Sequence, residues 1–346
     1  MSDSLPRIIP EKLICDIHNY SHVVLFTHSH PDGDALGSLL GFASILESLG
    51  KKVFCLIEEP ITHLYTFLPD KDRASISVER YKNFVSDAGE DLVSIALDCG
   101  DEDRLGILKQ EVLSNTPFWV IDHHQSHKDF GTGRWVAPDC SSTGEMVYEV
   151  GMLLGAELSL QAAFNLYVAI CTDTGSFRYE STGPRTMEIA GQLIAKGVKP
   201  HVVGSHIYDN FTKQRIKLME LALGSIALHE SEQIAFMTVT QSMLQESGAT
   251  LQDAEGFIDY PRSLQNVKVA VLVKEALNGT VSVSLRAKGQ CNVASVAKQF
   301  GGGGHRNAAG FRCHGKAFAQ VLDDVLAVLK TAVTVSDPMV VKDRVN

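Results

Sequence analysis

The sequence predicts an α/β protein, with an N-terminal, largely parallel sheet flanked by helices and a smaller C-terminal α+β domain. Three observations carry this. Over roughly the first two hundred residues, short β-rich runs alternate with helical patterns, as βαβ units do. Strand after strand in that region runs directly into acidic or histidine residues, as expected where functional groups collect at the carboxyl ends of an open α/β sheet. Further on, two strand-like runs are separated by Asn278-Gly279, a strong hairpin signal.

In chain order, SHVVLFTH (21–28) is the first strand. The following helix is fixed by Leu36, Leu39, Leu40, Ala43 and Leu46 at helical spacing, with Gly50 placed for a left-handed C-terminal cap. KKVFCLI (51–57), DLVSIALD (91–98), a polar helix and PFWVID (117–122) continue the alternation. Helical patterns follow around 142–154, 159–171 and 184–196, with CTDTGSF (171–177) between the last two. A linker is expected over 206–222, which makes 1–205 the first domain and 223–334 the second, with a frayed tail over 335–346. The second domain reads as strand IAFMTVT, a helix near 241–247, the hairpin KVAVLVKEAL and TVSVSLRAKG, helix NVASVAKQF, and the block GGGGHRNAAGF (301–311).

Composition narrows the class. With 346 residues, 45% apolar and 21% charged, the chain can build two ordinary globular cores. The longest apolar runs, VVLF and VAVLV, fall far short of the roughly 18–20 residues of a membrane span. No basic-then-apolar leader pattern opens the chain, so a cytoplasmic location is expected. The seven cysteines occur singly, without a CxxC pair, which argues against a zinc knuckle, a redox pair or a disulfide framework. A formal charge of −10 argues against wrapping long duplex nucleic acid, since that mode rests on many cationic contacts to phosphates.

The chemistry is concentrated in four places. HSHPDGD brings His28, His30, Asp32 and Asp34 into one strand-to-helix loop, where Gly33 lets two carboxylates turn toward one point. The competing reading makes Asp34 a helix cap. Asp98 ends a strand, Asp122, His123 and His124 end another, and Asp173 follows a mostly apolar helical stretch. Three consecutive ionisable side chains after an apolar run are costly unless satisfied together. Mixed carboxylate and imidazole suits manganese, iron or zinc, with manganese the best fit. Two such ions bridged by a shared carboxylate can generate hydroxide near neutral pH and stabilise a phosphoryl group under in-line attack.

The order HxxxDxD at 28–34, Asp98, the DHH triplet at 122–124, Asp173 and GGGGHRNAAG at 301–310 resembles the DHH phosphoesterases with their DHH-associated C-terminal domain. Within that family the arrangement is most similar to the stand-alone bacterial nano-RNases, which degrade very short oligoribonucleotides and often dephosphorylate 3′-phosphoadenosine 5′-phosphate. The resemblance implies two manganese ions, replaceable by magnesium or cobalt, and an active-site cleft between the domains. It implies that His28, Asp32, Asp98 and Asp173 hold one ion and Asp34, Asp98, His123 and Asp173 the other. His124 would then stand by the substrate, Asp122 would orient the histidines, and a homodimer is expected from relatives. His30 stands where an Arg or Lys is expected.

For the second domain, the four glycines followed by His305 and Arg306 offer backbone N–H groups and side-chain donors to an anion. Gly302, Gly303, Gly304 and His305 are therefore candidate phosphate contacts, with Arg286 and Arg262 as further ones; the resemblance ranks Arg286 first. A merely flexible turn is the competing reading. A site that grips one end of its substrate favours short oligoribonucleotides or small nucleotides. Rival substrates within the same chemistry are a cyclic dinucleotide and single-stranded DNA, and the rival of another class is a catalytically silent nucleotide-binding regulator.

Overall fold

The computed structural model describes residues 8–289 and 291–335. The chain divides into two compact units, Met1–Asp209 and Asn210–Asn346.

The first unit runs α1 (Glu11–Asn19), β1 (His22–Thr27), α2 (Gly33–Ser48), β2 (Lys52–Leu56), β3 (Ala74–Ser75), α3 (Val78–Ala88), β4 (Leu92–Leu97), α4 (Lys109–Leu113), β5 (Phe118–Asp122), β6 (Gly133–Val136), α5 (Thr143–Leu153), α6 (Leu160–Asp173), α7 (Pro184–Ala195) and α8 (Pro200–Tyr208). Its six strands pair in parallel throughout, in the order β3-β2-β1-β4-β5-β6. Both faces are covered, so β4 and β5 are buried at every residue, as parallel strands between helical layers must be. One apolar cluster packs Leu25, Ile95 and Ile121 under Leu36, Leu40, Met146, Leu166 and Ile170. The other places Val24, Phe26, Ala96 and Val120 against Tyr81 and Val112. The strand order reverses between β1 and β4. In doubly wound sheets the carboxyl ends flanking such a reversal open a crevice where ligands bind.

Helix α2 is central to this unit. It is buried along nearly its whole length, and Gly33, Gly37 and Gly41 form a groove on one side. A Cβ at Gly37 would stand 2.4 Å from the Asn165 carbonyl oxygen, and one at Gly33 would stand 2.6 Å from the Thr172 side chain. The glycines thus let α2 and α6 approach closely over about two turns, backbone to backbone at Gly37.

The second unit runs α9 (Lys213–Gly224), β7 (Ala227–His229), β8 (Ile234–Val239), α10 (Gln241–Ser247), α11 (Asp259–Ser263), β9 (Val269–Glu275), β10 (Val281–Ala287), α12 (Val293–Gln299), β11 (Gly303–His305), β12 (Ala308–Cys313) and α13 (Phe318–Val335). Its mixed sheet has the order β11-β12-β10-β9-β8-β7, with β8 and β9 parallel and the other pairs antiparallel. Asn278-Gly279 closes the β9–β10 hairpin, where Gly279 takes φ 77°. Alternation along β10 sends Val281, Val283, Leu285 and Ala287 into a core with α12 and α13, leaving Ser282, Ser284 and Arg286 on the other face.

Residues 206–222, expected as a linker, are largely helical. Thr212 accepts a hydrogen bond from Arg215 N to start α9, which buries Arg215, Leu218 and Ala222. The expected tail falls on residues that, after Val335, lie outside those described. Among the described residues no helix is long and apolar enough to cross a membrane.

Candidate metal centre

The loop after β1 carries His28 to Asp32. Asp32 caps α2, its Oδ1 accepting from Asp34 N and Ala35 N at 3.1 Å each. The cap is therefore Asp32, and Asp34, read from sequence as a cap or a ligand, lies two residues on, within the first turn of α2. Asp34 is sealed from solvent and accepts from Ser38 Oγ at 3.1 Å, Thr143 N at 2.8 Å and Gly144 N at 2.9 Å. The last two donors are the free amides at the N-terminus of α5, which favour a negative partner.

Asp98 follows β4 with φ 56°, a left-handed conformation that an L-residue with a side chain adopts only at a cost of about 1–2 kcal/mol. It accepts from Thr143 Oγ1 at 3.2 Å, and its carboxylate lies against two imidazoles. His28 Nε2 is 3.4 Å from Asp98 Oδ2. His123 Nε2 is 3.5 Å from both Asp34 Oδ2 and Asp98 Oδ1, and 3.4 Å from Asp173 Oδ2. The other ring nitrogens of these histidines face carbonyls: His28 Nδ1 that of Ser29 at 2.9 Å, His123 Nδ1 that of Cys140 at 3.3 Å. With Nδ1–H donated outward, each Nε2 lone pair points at carboxylate oxygen, an arrangement that favours a cation between them.

The charges make the same demand. Burial, then the carboxylates of Asp98 and Asp173, push Asp34 well above the usual carboxylate range, against the three donors that favour its ionised form. Burial would also raise Asp98, but the imidazoles of His123 and His28 hold it well below that range. Asp173, the last residue of α6 and about one-third exposed, is raised to about 6 by burial and then by Asp98 and Asp32, against His123. For His123, burial opposes protonation and is outweighed by Asp173, Asp98 and Asp34, so its pKa rises well above the ordinary value.

Ligand-capable atoms of His28, Asp32 and Asp98 lie within 4.8 Å of one another, as do those of Asp34, His123 and Asp173. The chain thus brings its four sequence-separated acidic and histidine positions to one place, at the reversal of strand order. Mixed nitrogen and oxygen donors in two adjoining groups, with buried carboxylates crowded together, fit divalent metal ions.

Asp122 is wholly buried and is bonded at each oxygen by an imidazole, His124 Nδ1 at 2.7 Å and His127 Nδ1 at 2.7 Å. Burial would raise it, yet those partners, His124 foremost, lower it below the usual range. His124 itself is raised against burial by Asp122 and then Asp98. His30 turns away from the cluster: its backbone N and its Nδ1 meet Glu59 Oε1 at 2.6 and 2.5 Å, with φ 54°. Sequence reasoning missed Ser38, Thr143, the α5 amides and His127. Only the side chains among these had a sequence signal, and it was weak.

In the second unit, Arg286 projects from the polar face of β10. Its Nη1 donates to the Leu285 carbonyl at 3.2 Å, and its Nε is buried without a hydrogen-bond partner among the described residues. Arg262 lies in α11, near enough to Lys288 to lower the Lys288 pKa, behind the larger effect of burial. Gly303, Gly304 and His305 form β11 rather than a free loop. A Cβ at Gly302 would lie 2.2 Å from the Gly310 carbonyl oxygen and one at Gly304 2.5 Å from that of Ala308, so close strand approach itself requires these glycines.

Comparison with known proteins adds the following. The model of the DHH family, N-terminal domain, matches residues 22–172, and that of the DHHA1 domain matches 232–334. The bifunctional oligoribonuclease and PAP phosphatase NrnA of Thermus thermophilus is 30% identical over 90% of this chain and 90% of its own length. The protein of the same name from Bacillus subtilis is 28% identical over 92% of this chain and 97% of its own. A crystal structure of an exopolyphosphatase-related protein from Bacteroides fragilis superposes with a TM-score of 0.84 at 26% identity, covering 95% of this chain and 100% of that one.

Proposed function

The chain belongs to the DHH family and is a phosphoester hydrolase, and from that premise we propose that it cleaves short oligoribonucleotides and 3′-phosphoadenosine 5′-phosphate with two manganese ions. The observation that carries the reading is the convergence of His28, Asp32, Asp34, Asp98, His123 and Asp173 at the carboxyl ends of β1, β4 and β5. The substrate class follows the relatives named as oligoribonuclease and PAP phosphatase, which this chain matches over nearly its full length.

In this reading His28, Asp32, Asp98 and Asp173 hold one ion and Asp34, Asp98, His123 and Asp173 the other. Bound there, the ions supply Lewis acidity at the phosphoryl oxygens and a lowered pKa for the attacking water. The chain's own groups do the rest. The α5 amides and Ser38 orient Asp34, and the carbonyls of Ser29 and Cys140 fix the ring directions of His28 and His123. Asp122 accepts a hydrogen bond from the His124 Nδ1–H, which leaves the His124 Nε2 as the atom able to exchange a hydrogen bond with the substrate. In the second unit we assign Arg286, with His305 and the backbone of Gly302, Gly303 and Gly304, to a substrate phosphate, and give Arg262 a lesser part. The buried Nε of Arg286 supports this, because a guanidinium donor hidden from water is costly unless an anion meets it.

Rates measured side by side with manganese on a ribodinucleotide, a five-residue RNA, 3′-phosphoadenosine 5′-phosphate, a cyclic dinucleotide and single-stranded DNA test the proposal. The first three should be turned over fastest. Preference for the cyclic dinucleotide or for DNA would reject the substrate, and no turnover of any would reject the enzyme.

A further inference from the structure

The Asp122 carboxylate closes the DHH triplet at one oxygen only. Its Oδ1 meets His124, while its Oδ2 meets His127, a residue outside that triplet. His127 is held from several sides. Its backbone N donates to the His124 carbonyl at 3.2 Å, and the next residue, Lys128, donates from its N to the Gly100 carbonyl at 2.8 Å. The ring stacks on Phe130 with centroids 5.4 Å apart and planes 20° from parallel. Its side chain is only 5% exposed, and its Nε2 is buried without a hydrogen-bond partner among the described residues.

That last fact separates a chemical role from a packing role. A ring needed only to fill space against Phe130 would be better supplied by phenylalanine, which leaves no buried nitrogen unsatisfied. The imidazole is accounted for by the one polar bond it makes, from Nδ1 to Asp122. A carboxylate tied at one oxygen can turn about its broad terminal torsion, whereas one tied at both cannot. Gly100 leaves little room beside it, since a Cβ there would stand 3.2 Å from Asp122 Oδ2 and from His124 Cβ.

The direction matters because His124 Nδ1 has a second acceptor within reach. Asp98 Oδ1 lies 3.6 Å from it, against 2.7 Å for Asp122 Oδ1. If Asp122 turned away, the Nδ1–H of His124 would fall to Asp98 and withdraw one of the oxygens the metal reading requires. We propose that His127 is a positioning residue: it pins Asp122 so that His124 is held in its Nδ1–H tautomer and kept off Asp98. The effect on turnover rests on the phosphoesterase reading given above, while the tautomer does not.

Two variants separate this from a structural role. His127→Phe keeps the ring and its stack but removes the donor. His127→Asn loses the ring but places an N–H one bond from Cγ, where Nδ1 stood. With manganese saturating, His127→Phe should lower kcat about 10–100-fold, the usual effect of removing a group that orients a metal ligand's partner, while KM stays within about threefold and Tm does not fall. His127→Asn should recover kcat to within about threefold of the wild type even though its Tm drops. Nitrogen-15 spectra of the metal-free proteins, recorded at a pH where the His124 ring is neutral, should show that ring in one Nδ1–H form in wild type and His127→Asn, and a mixture in His127→Phe. A wild type inactive on every phosphoester would sink the function reading and leave the spectra to judge His127. Undiminished turnover with an unchanged His124 signal in His127→Phe, or an Asn variant no better than the Phe variant, overturns the proposal.

Discussion

Adding one methyl group at Gly37 should uncouple activity from stability. In Gly37→Ala the new Cβ would stand 2.4 Å from the Asn165 carbonyl oxygen, 2.9 Å from Ala169 Cβ and 3.0 Å from Ala169 N. Ordinary contact begins near 3.4 Å, so α2 and α6 must separate by about 1 Å, and a helix backbone cannot rotate out of the way. Overpacking of this kind costs about 1–3 kcal/mol, and alanine's better helix propensity returns up to about 1 kcal/mol. The net loss of about 1–2 kcal/mol should lower Tm by several degrees, at ~2–4 °C per kcal/mol for a unit of this size. The site should suffer far more. Asp34 lies one turn before Gly37 on α2 and Asp173 ends α6, so the same shift moves apart two carboxylates that the proposed function gives to one ion. A misplacement of about 1 Å costs on the order of 100-fold in rate. Gly41→Ala is the control, because its Cβ would meet the Leu166 side chain, at 2.8 Å, rather than backbone. It should be milder in both respects. Calorimetric Tm and kcat at saturating manganese give the two numbers. A Gly37→Ala protein that loses the expected Tm but keeps kcat within about threefold of wild type would refute the idea that helix spacing sets the ligand distances.

Other perturbations act on single groups. Asp98→Ala and Asp98→Asn should each lower turnover by more than about 1000-fold with the fold kept, and Asn should be the more stable of the two because it tolerates φ 56° better; near-native turnover in either removes Asp98 from the centre. Asp173, raised to about 6 in the folded protein, adds stability as a protonated acid below its unfolded value near 3.8, and that contribution is lost as pH rises through about 6. Manganese should therefore raise Tm by more at pH 7 than at pH 5, with a chelator reversing the gain and protons released on binding; a gain independent of pH contradicts this. Arg286→Lys should raise KM about as much as Arg286→Ala does, since an ammonium cannot reproduce the guanidinium donors, and full rescue by lysine would reduce Arg286 to a point charge.

Much of the centre could be read from sequence because its parts lie where patterns are strongest. Leu36, Leu39, Leu40, Ala43 and Leu46 mark α2, and apolar β1, β4 and β5 each end in ligand-type residues, so the crevice is visible before any coordinates. The supporting groups were silent for physical reasons. The amides of Thr143 and Gly144 that hold Asp34 are backbone, and every residue type offers them. Strand β6 is four residues long and opens on glycine, and β3 has two residues, too short for an alternation to register. Helix α9 buries few residues, among them a charged one, Arg215, so its stripe resembles a linker. Gly302 and Gly304 suggested an anion cradle; their bare Cα atoms are also demanded by neighbouring carbonyls, a constraint only coordinates reveal. Gly33, Gly37 and Gly41 did leave a trace in the regular four-residue step, which signals a groove as much as it signals tolerance.

The border strands of the two sheets have a consequence for how the molecule behaves in a crowded solution. They are β3 and β6 in one sheet and β11 and β7 in the other, and each holds only two to four residues, whereas the interior strands hold five to seven. A border so brief exposes too few open amides and carbonyls to recruit a foreign strand. Self-association by sheet extension, and the fibrous growth it can lead to, is thereby blunted, and any stable pairing of two copies would have to be made by side chains.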